Sequence, residues 1–207
     1  MEDIHVVSKI VSITQKKCNI YLNEQFAFAL YKGELSRYKL KEGVRLSEET
    51  YHEIQTLLLK RAKSRCLHLL NAKSYTQQQL TEKLQTNGYP DEVTTQAIDY
   101  AKSFGYINDK AYAQHYILNQ NGKRSIREMK EKLLQKGITR EVLEECLETL
   151  ESEQDDTHAI KTILKKKKYA EGNMNMEEKR KIYAYLARKG FRYDDINKVL
   201  QISNWNT

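Results

Sequence analysis

Leu80–Val93 reads LTEKLQTNGYPDEV, and Met129–Val142 reads MKEKLLQKGITREV. Aligned on their glycines, the two stretches share E-K-L, a glycine four residues after the leucine, and a closing E-V, with Gly88 and Gly137 49 residues apart. Thr76 and Gln79 stand ahead of the first glycine, Ser125 and Glu128 ahead of the second, each at the S/T-x-x-E/Q spacing of a capping box and each opening 12 residues before its glycine. A glycine there suits the left-handed position that ends a helix in a Schellman turn, which pairs the next residue with the one four before the glycine: Tyr89 with Leu84, Ile138 with Leu133. A third copy, IYAYLARKGFRYDDINKVL (Ile182–Leu200), places Leu186 four residues before Gly190 and Phe191 after it, 53 residues beyond Gly137. Its cap, Asn175 with Glu178, stands 15 residues ahead of Gly190, so its helix is about one turn longer.

Each glycine precedes a further amphipathic segment (Val93–Ala101, Val142–Leu150, Ile196–Ile202), and a helix comes before each cap. The first of these is long: Tyr51, Ile54, Leu58, Ala62, Cys66 and Leu69 form one stripe behind the N-cap Ser47, with Asn71 as a left-handed end. The others are Ala111–Leu118, behind Asn108, and His158–Leu164. Units this small bury little core alone, so neighbours must cover their apolar faces. Ahead of them, CNIYLNEQFAFALY (Cys18–Tyr31) alternates with a period of two. Ile20 and Leu22 face one side, Phe26, Phe28 and Leu30 follow a turn at Asn23–Gln25, and KIVSIT supplies a third strand before Gly33 and Gly43 punctuate the exit. The expected fold is mainly α: three three-helix, helix-turn-helix-like repeats in tandem behind a small antiparallel β module. The expected segments are 1–47 for that module, then 48–105, 106–152 and 153–207, with ESEQDD (151–156) as a solvated hinge.

In 207 residues there is one proline, and no apolar run long enough to cross a membrane is present, so a cytoplasmic protein is expected. Cys18, Cys66 and Cys146 are far apart and read as reduced thiols, not a disulfide or metal framework. His5, His52, His68, His115 and His158 are scattered, without H-E-x-x-H, and no P-loop motif occurs, so neither catalysis nor a cofactor is expected. The net charge of +7 is uneven: residues 121–157 carry 7 basic against 10 acidic side chains, residues 158–207 carry 12 against 5. A polyanionic partner is the natural inference. Lys165, Lys166, Lys167 and Lys168, Lys179, Arg180 and Lys181, and Arg188, Lys189 and Arg192 are the candidate contacts, against a solvated surface paired with Glu177, Glu178, Asp194 and Asp195. In the second repeat, Arg127–Glu131 and Glu128–Lys132 read as i,i+4 helix pairs, whereas Lys123 and Arg124 have no evident intrahelical partner and join the candidates. Tyr100, Tyr112, Tyr116 and Tyr185 fall on apolar stripes and read as packing.

SFGYINDKAYAQHYI (Ser103–Ile117), KRSIREMKEKLLQKGITREVLEECL (Lys123–Leu147) and YLARKGFRYDDINKVL (Tyr185–Leu200) together resemble the RecX family of regulators of the RecA recombinase. The likeness covers roughly residues 50–202, and NIYLNEQFAFAL is similar to the N-terminal extension of longer members. The resemblance implies a non-enzymatic, monomeric modulator in homologous recombination, DNA repair and the SOS response. Such a protein lies in the groove of the RecA–DNA filament, restrains its ATPase and strand exchange, and touches single- or double-stranded DNA without sequence preference. The lysine-rich stretch LKKKKYAEGNMNMEEKRK (Leu164–Lys181) departs from the family pattern. The alternative is a helix-turn-helix transcriptional regulator, but the post-glycine segments open with acidic residues that phosphates would repel.

Overall fold

The computed structural model describes residues 5–121, 123–151, 156–169 and 174–201. It is mainly helical behind a small antiparallel sheet, and its contacts divide the chain into two compact units, Met1–Asn108 and Asp109–Thr207.

In the first unit the strands β1 (His5–Ser12), β2 (Lys17–Leu22), β3 (Gln25–Tyr31) and β4 (Arg45–Leu46) lie in the order β3-β2-β1-β4. Asn23 and Glu24 make the β2–β3 turn with φ of 47° and 67°, the doubly left-handed turn whose twist suits a two-residue hairpin. The alternation expected of β3 fails at one point. Tyr21 pairs with Phe26 but Ile20 pairs with Phe28, so Ala27 is an extra residue and the strand bulges there. Phe28 and Leu30 are therefore buried, while Phe26 turns to the open side and meets Tyr21 edge-on at 5.9 Å. Gly33 is not a chain break but lies inside a short helix, α1 (Lys32–Arg37), whose Glu34 accepts a hydrogen bond from the Tyr31 amide at 2.9 Å.

Ser47 caps α2 (Glu48–Ala72) by accepting from the Thr50 amide, and the stripe Ile54, Leu58, Ala62, Cys66 and Leu69 is buried as its spacing requires. Asn71 does not end this helix; the chain leaves it at Lys73 in an extended conformation. α3 (Gln77–Thr86) and α4 (Asp91–Ser103) complete the first repeat, and their apolar faces share one core with α2 and the sheet. Fully burying each large side chain there contributes about 2–3 kcal/mol.

Two joints hold the sheet to these helices. At the first, Ala29 donates its amide to the Gly88 carbonyl at 3.0 Å, and its methyl lies where a Gly88 side chain would begin. Nearby, Lys17 donates Nζ to the Asn87 carbonyl at the end of α3, where a cation suits the helix dipole. At the second joint, Arg61 of α2 grips Glu34 of α1 with both guanidinium nitrogens and stands 5.0 Å from the Tyr31 ring. Burial works to raise the Glu34 carboxyl, but hydrogen bonds from Arg61 and Tyr31 and the charges of Arg61 and Arg37 outweigh it and hold it below its usual 4.5. A depressed carboxylate contributes stability above its unfolded value and loses it as pH falls through the folded one. The first unit will therefore lose urea resistance below about pH 4.5, and Glu34→Gln will flatten that decline; parallel curves for the two proteins would refute the assignment.

In the second unit α5 (Asp109–Gln120), α6 (Ile126–Gln135) and α7 (Arg140–Glu151) enclose one cluster around Ala113, Ile117, Leu133, Ile138, Leu143 and Leu147. α8 (Thr157–Lys166), α9 (Met176–Arg188) and α10 (Tyr193–Leu200) enclose another around Ile160, Leu164, Ile182, Leu186, Phe191 and Ile196. The expected hinge 151–156 lies mostly outside the described residues, as does Ile202.

All three glycines end their helices as anticipated. Gly88, Gly137 and Gly190 have φ of 83°, 85° and 81°. Tyr89, Ile138 and Phe191 return their amides to Leu84, Leu133 and Leu186 at 3.3, 3.1 and 3.2 Å. α8 closes in the same way, with Tyr169 donating to the Leu164 carbonyl at 3.0 Å, but the left-handed position is held by Lys168, φ 61°. A left-handed non-glycine residue is strained by about 1–2 kcal/mol.

Candidate nucleic-acid interface

The basic residues lie at the end of α8, along α9 and at the third glycine turn. Lys165, Lys166, Lys167 and Lys168 are exposed at the end of α8. Lys167 lies over the Tyr185 ring at 4.3 Å, which draws the run towards α9. On α9 itself Lys179 is half-buried, whereas Arg180 and Lys181 are exposed. Arg188 is exposed and donates Nε to the Ala184 carbonyl at 3.3 Å. Arg192 is exposed at the N-cap of α10.

Among the described residues, one of the carboxylates expected to neutralise this surface takes that role: Glu177 pairs with Lys181 at 2.6 Å. Glu178 instead closes the α9 capping box by accepting from the Asn175 amide, and buried Asp195 reaches Lys198 at 3.5 Å. Among the described residues, Lys165, Lys166, Lys168, Lys179 and Arg192 have no carboxylate in ion-pair contact.

α6 abuts this turn. Buried Ser125 accepts from the Glu128 amide at 3.1 Å and donates its hydroxyl to the Lys189 carbonyl at 2.7 Å, tying the start of α6 to the end of α9. The expected box is thus half closed, because the Glu128 carboxylate turns away from the Ser125 amide. It takes Arg124 in an ion pair and Lys189 at 3.7 Å. Lys132 consequently reaches Gln135 at 3.4 Å instead of Glu128, while Arg127 keeps Glu131 at 3.2 Å.

Lys123 and Arg124 are not free of local partners, contrary to the sequence expectation. Lys123 donates to the Asn119 carbonyl at 2.7 Å, and Arg124 also donates Nε to Gln120 at 3.0 Å. Glu128 therefore joins candidates from two repeats, Arg124 and Lys189. A cleft of about 750 Å³ opens beside it, and its walls include Arg127, Lys132, Tyr185 and Arg188. Spacing alone assigns Arg127, Lys132 and Tyr185 to helix support and packing; what places them here is the turn's docking on α6, which no local pattern encodes.

Elsewhere the chain offers little reactive chemistry. Cys18, Cys66 and Cys146 are free and buried, and burial pushes the Cys66 thiol up to about 11. Among the described residues no three His, Cys, Asp or Glu side chains converge as a metal site, and no helix is long and apolar enough to cross a membrane.

Fold and surface together define a helical-repeat scaffold whose third repeat is rich in exposed cations. Residues 62–100 match the first three-helix domain of RecX, and residues 153–200 match the third. The regulatory protein RecX of Clostridioides difficile is 31% identical over 206 residues, covering 92% of this chain and 93% of its own. That of Bacillus velezensis is 31% identical over 199 residues, covering 91% of this chain and 74% of its own. A crystal structure of regulatory protein RecX superposes with a TM-score of 0.62 at 22% identity over 95% of this chain and 98% of that one. RecX from Lactobacillus salivarius gives 0.60 at 23% identity, over 70% and 96%. The chain belongs to the RecX family of regulatory proteins.

Proposed function

We propose that this protein is a non-enzymatic, cytoplasmic regulator that binds the RecA–DNA filament as a monomer and restrains its ATPase and recombinase activity. In this reading the three repeats make many weak contacts along the filament, and the basic third repeat touches DNA without reading sequence. The observation that carries it is the regulatory family to which the chain belongs, with relatives matched along more than nine-tenths of its length. The exposed run Lys165–Lys168, without carboxylate neighbours among the described residues, supports the DNA contact.

Groove reading by a recognition helix finds less support. The first turns of α4 and α10 carry Asp91 and Glu92, and Asp194 and Asp195, where phosphates would be repelled.

The test is a titration of the protein, at substoichiometric amounts, into RecA turning over ATP on single-stranded DNA. The expected result is inhibition; unaltered turnover, with tight binding to one duplex sequence, would overturn the reading. In parallel, changing Lys165–Lys168 to glutamine will flatten the log–log salt dependence of DNA binding by about 0.7–0.9 for each phosphate no longer neutralised. An unchanged slope would return the run to solvent.

A further inference from the structure

α4 ends in a fourth glycine turn. Gly105 has φ 72°, its amide meets the Lys102 carbonyl at 2.8 Å, and Tyr106 donates to the Ala101 carbonyl at 3.0 Å. In the other three glycine turns the residue after the glycine folds back onto the leucine it is bonded to. Here that partner is an alanine, too small to hold a ring. Tyr106 therefore stays 55% exposed, and Phe104 before the glycine is 59% exposed.

The two rings lie nearly parallel, 5.9 Å apart at 17°, and Phe104 continues to Tyr100 at 5.0 Å. Lys63 of α2 stands 4.6 Å from the Tyr100 ring centre, and Lys102 is exposed beside the turn, where it donates to Gln77 at 2.9 Å. Among the described residues neither lysine is ion-paired. A side chain on Gly105 would meet nothing within 4 Å, so the turn between the two exposed rings is uncrowded.

We infer that this turn is a stacking platform for the unpaired bases of a single-stranded polynucleotide. Ring faces accept any base, and the flanking ammonium groups suit the phosphates between bases, the combination that sequence-tolerant single-strand binding uses. A protein partner would want a broad contiguous apolar patch around the rings. The other large apolar side chains exposed in this unit, Ile13, Phe26, Tyr31 and Val44, belong instead to the sheet and its adjoining segments. The inference rests on the DNA contact proposed above, but places it in the first repeat and on bases as well as backbone.

The test measures binding of the full-length protein to a short thymidine homopolymer and to an abasic strand of equal length. The wild type is expected to hold the homopolymer about tenfold more tightly. Phe104→Ala with Tyr106→Ala removes that preference and leaves abasic binding unchanged, and Phe104→Trp with Tyr106→Trp retains it. Both positions are exposed, so circular dichroism of the variants should match the wild type. Equal binding of the two strands by the wild type would overturn the platform while leaving the backbone contact standing. Binding of neither strand would remove the DNA contact itself. Undiminished homopolymer binding by the alanine variant, with loss of ATPase restraint, would assign the rings to a protein surface and overturn the inference.

Discussion

Gly88→Ala will destabilise the Met1–Asn108 unit by about 3 kcal/mol, read as faster hydrogen exchange throughout α2–α4 and the sheet. Two costs combine. The residue has φ 83°, which any L side chain resists by about 1–2 kcal/mol. The new methyl would also begin 2.5 Å from the Ala29 Cβ, too close for two carbons, so the strand or the turn must shift at a further cost of about 1–3 kcal/mol. Gly105→Ala is the internal control: φ is 72°, but its methyl meets nothing within 4 Å, so only the first cost applies, about 1 kcal/mol. Ala29→Gly removes the collision, and a double-mutant cycle should return a coupling of about 2 kcal/mol. Equal costs at Gly88 and Gly105 would mean that the sheet does not seat on this turn.

Ser125→Ala will cost the second unit about 2–3 kcal/mol, a fall of about 2 M in urea midpoint. The hydroxyl caps α6 and satisfies the Lys189 carbonyl in the same buried position. Its removal sacrifices a cap, worth about 1 kcal/mol, and orphans a carbonyl, at about 1–3 kcal/mol. Asn175→Ala removes an equivalent but exposed cap from α9 and should cost only about 1 kcal/mol, because water replaces it. If the two substitutions prove equal, the hydroxyl's second hydrogen bond contributes nothing.

The helices and their endings are legible in the sequence because their causes are local. A left-handed residue, a leucine four positions back and an apolar residue one forward lie within six residues, and no distant contact can substitute for them. The sheet is legible in outline, but the bulge at Ala27 is not, because pairing against Tyr21 and Ile20 decides it and period-two alternation assumes that no residue is skipped. β4 has two residues and no pattern to find. At the interface, exposure of the lysine run follows from composition. The partners of Glu128 do not: Lys189 lies 61 residues away and reaches it only because the third turn docks on α6. The exposed rings at Phe104 and Tyr106 are hidden by the very regularity of the motif, since the other glycine turns cover the position after the glycine, fully at Ile138 and Phe191 and in part at Tyr89.

The three cysteines give each half of the molecule a reporter of its own. Cys18 and Cys66 sit in the sheet-and-helix core and Cys146 in that of α5–α7. Shielding slows attack on all three, and burial also raises the Cys66 and Cys146 thiols. Alkylation of the native chain therefore waits on excursions that bare each sulfur, and peptide mapping of the adducts times the two breathing motions separately, without a single engineered label.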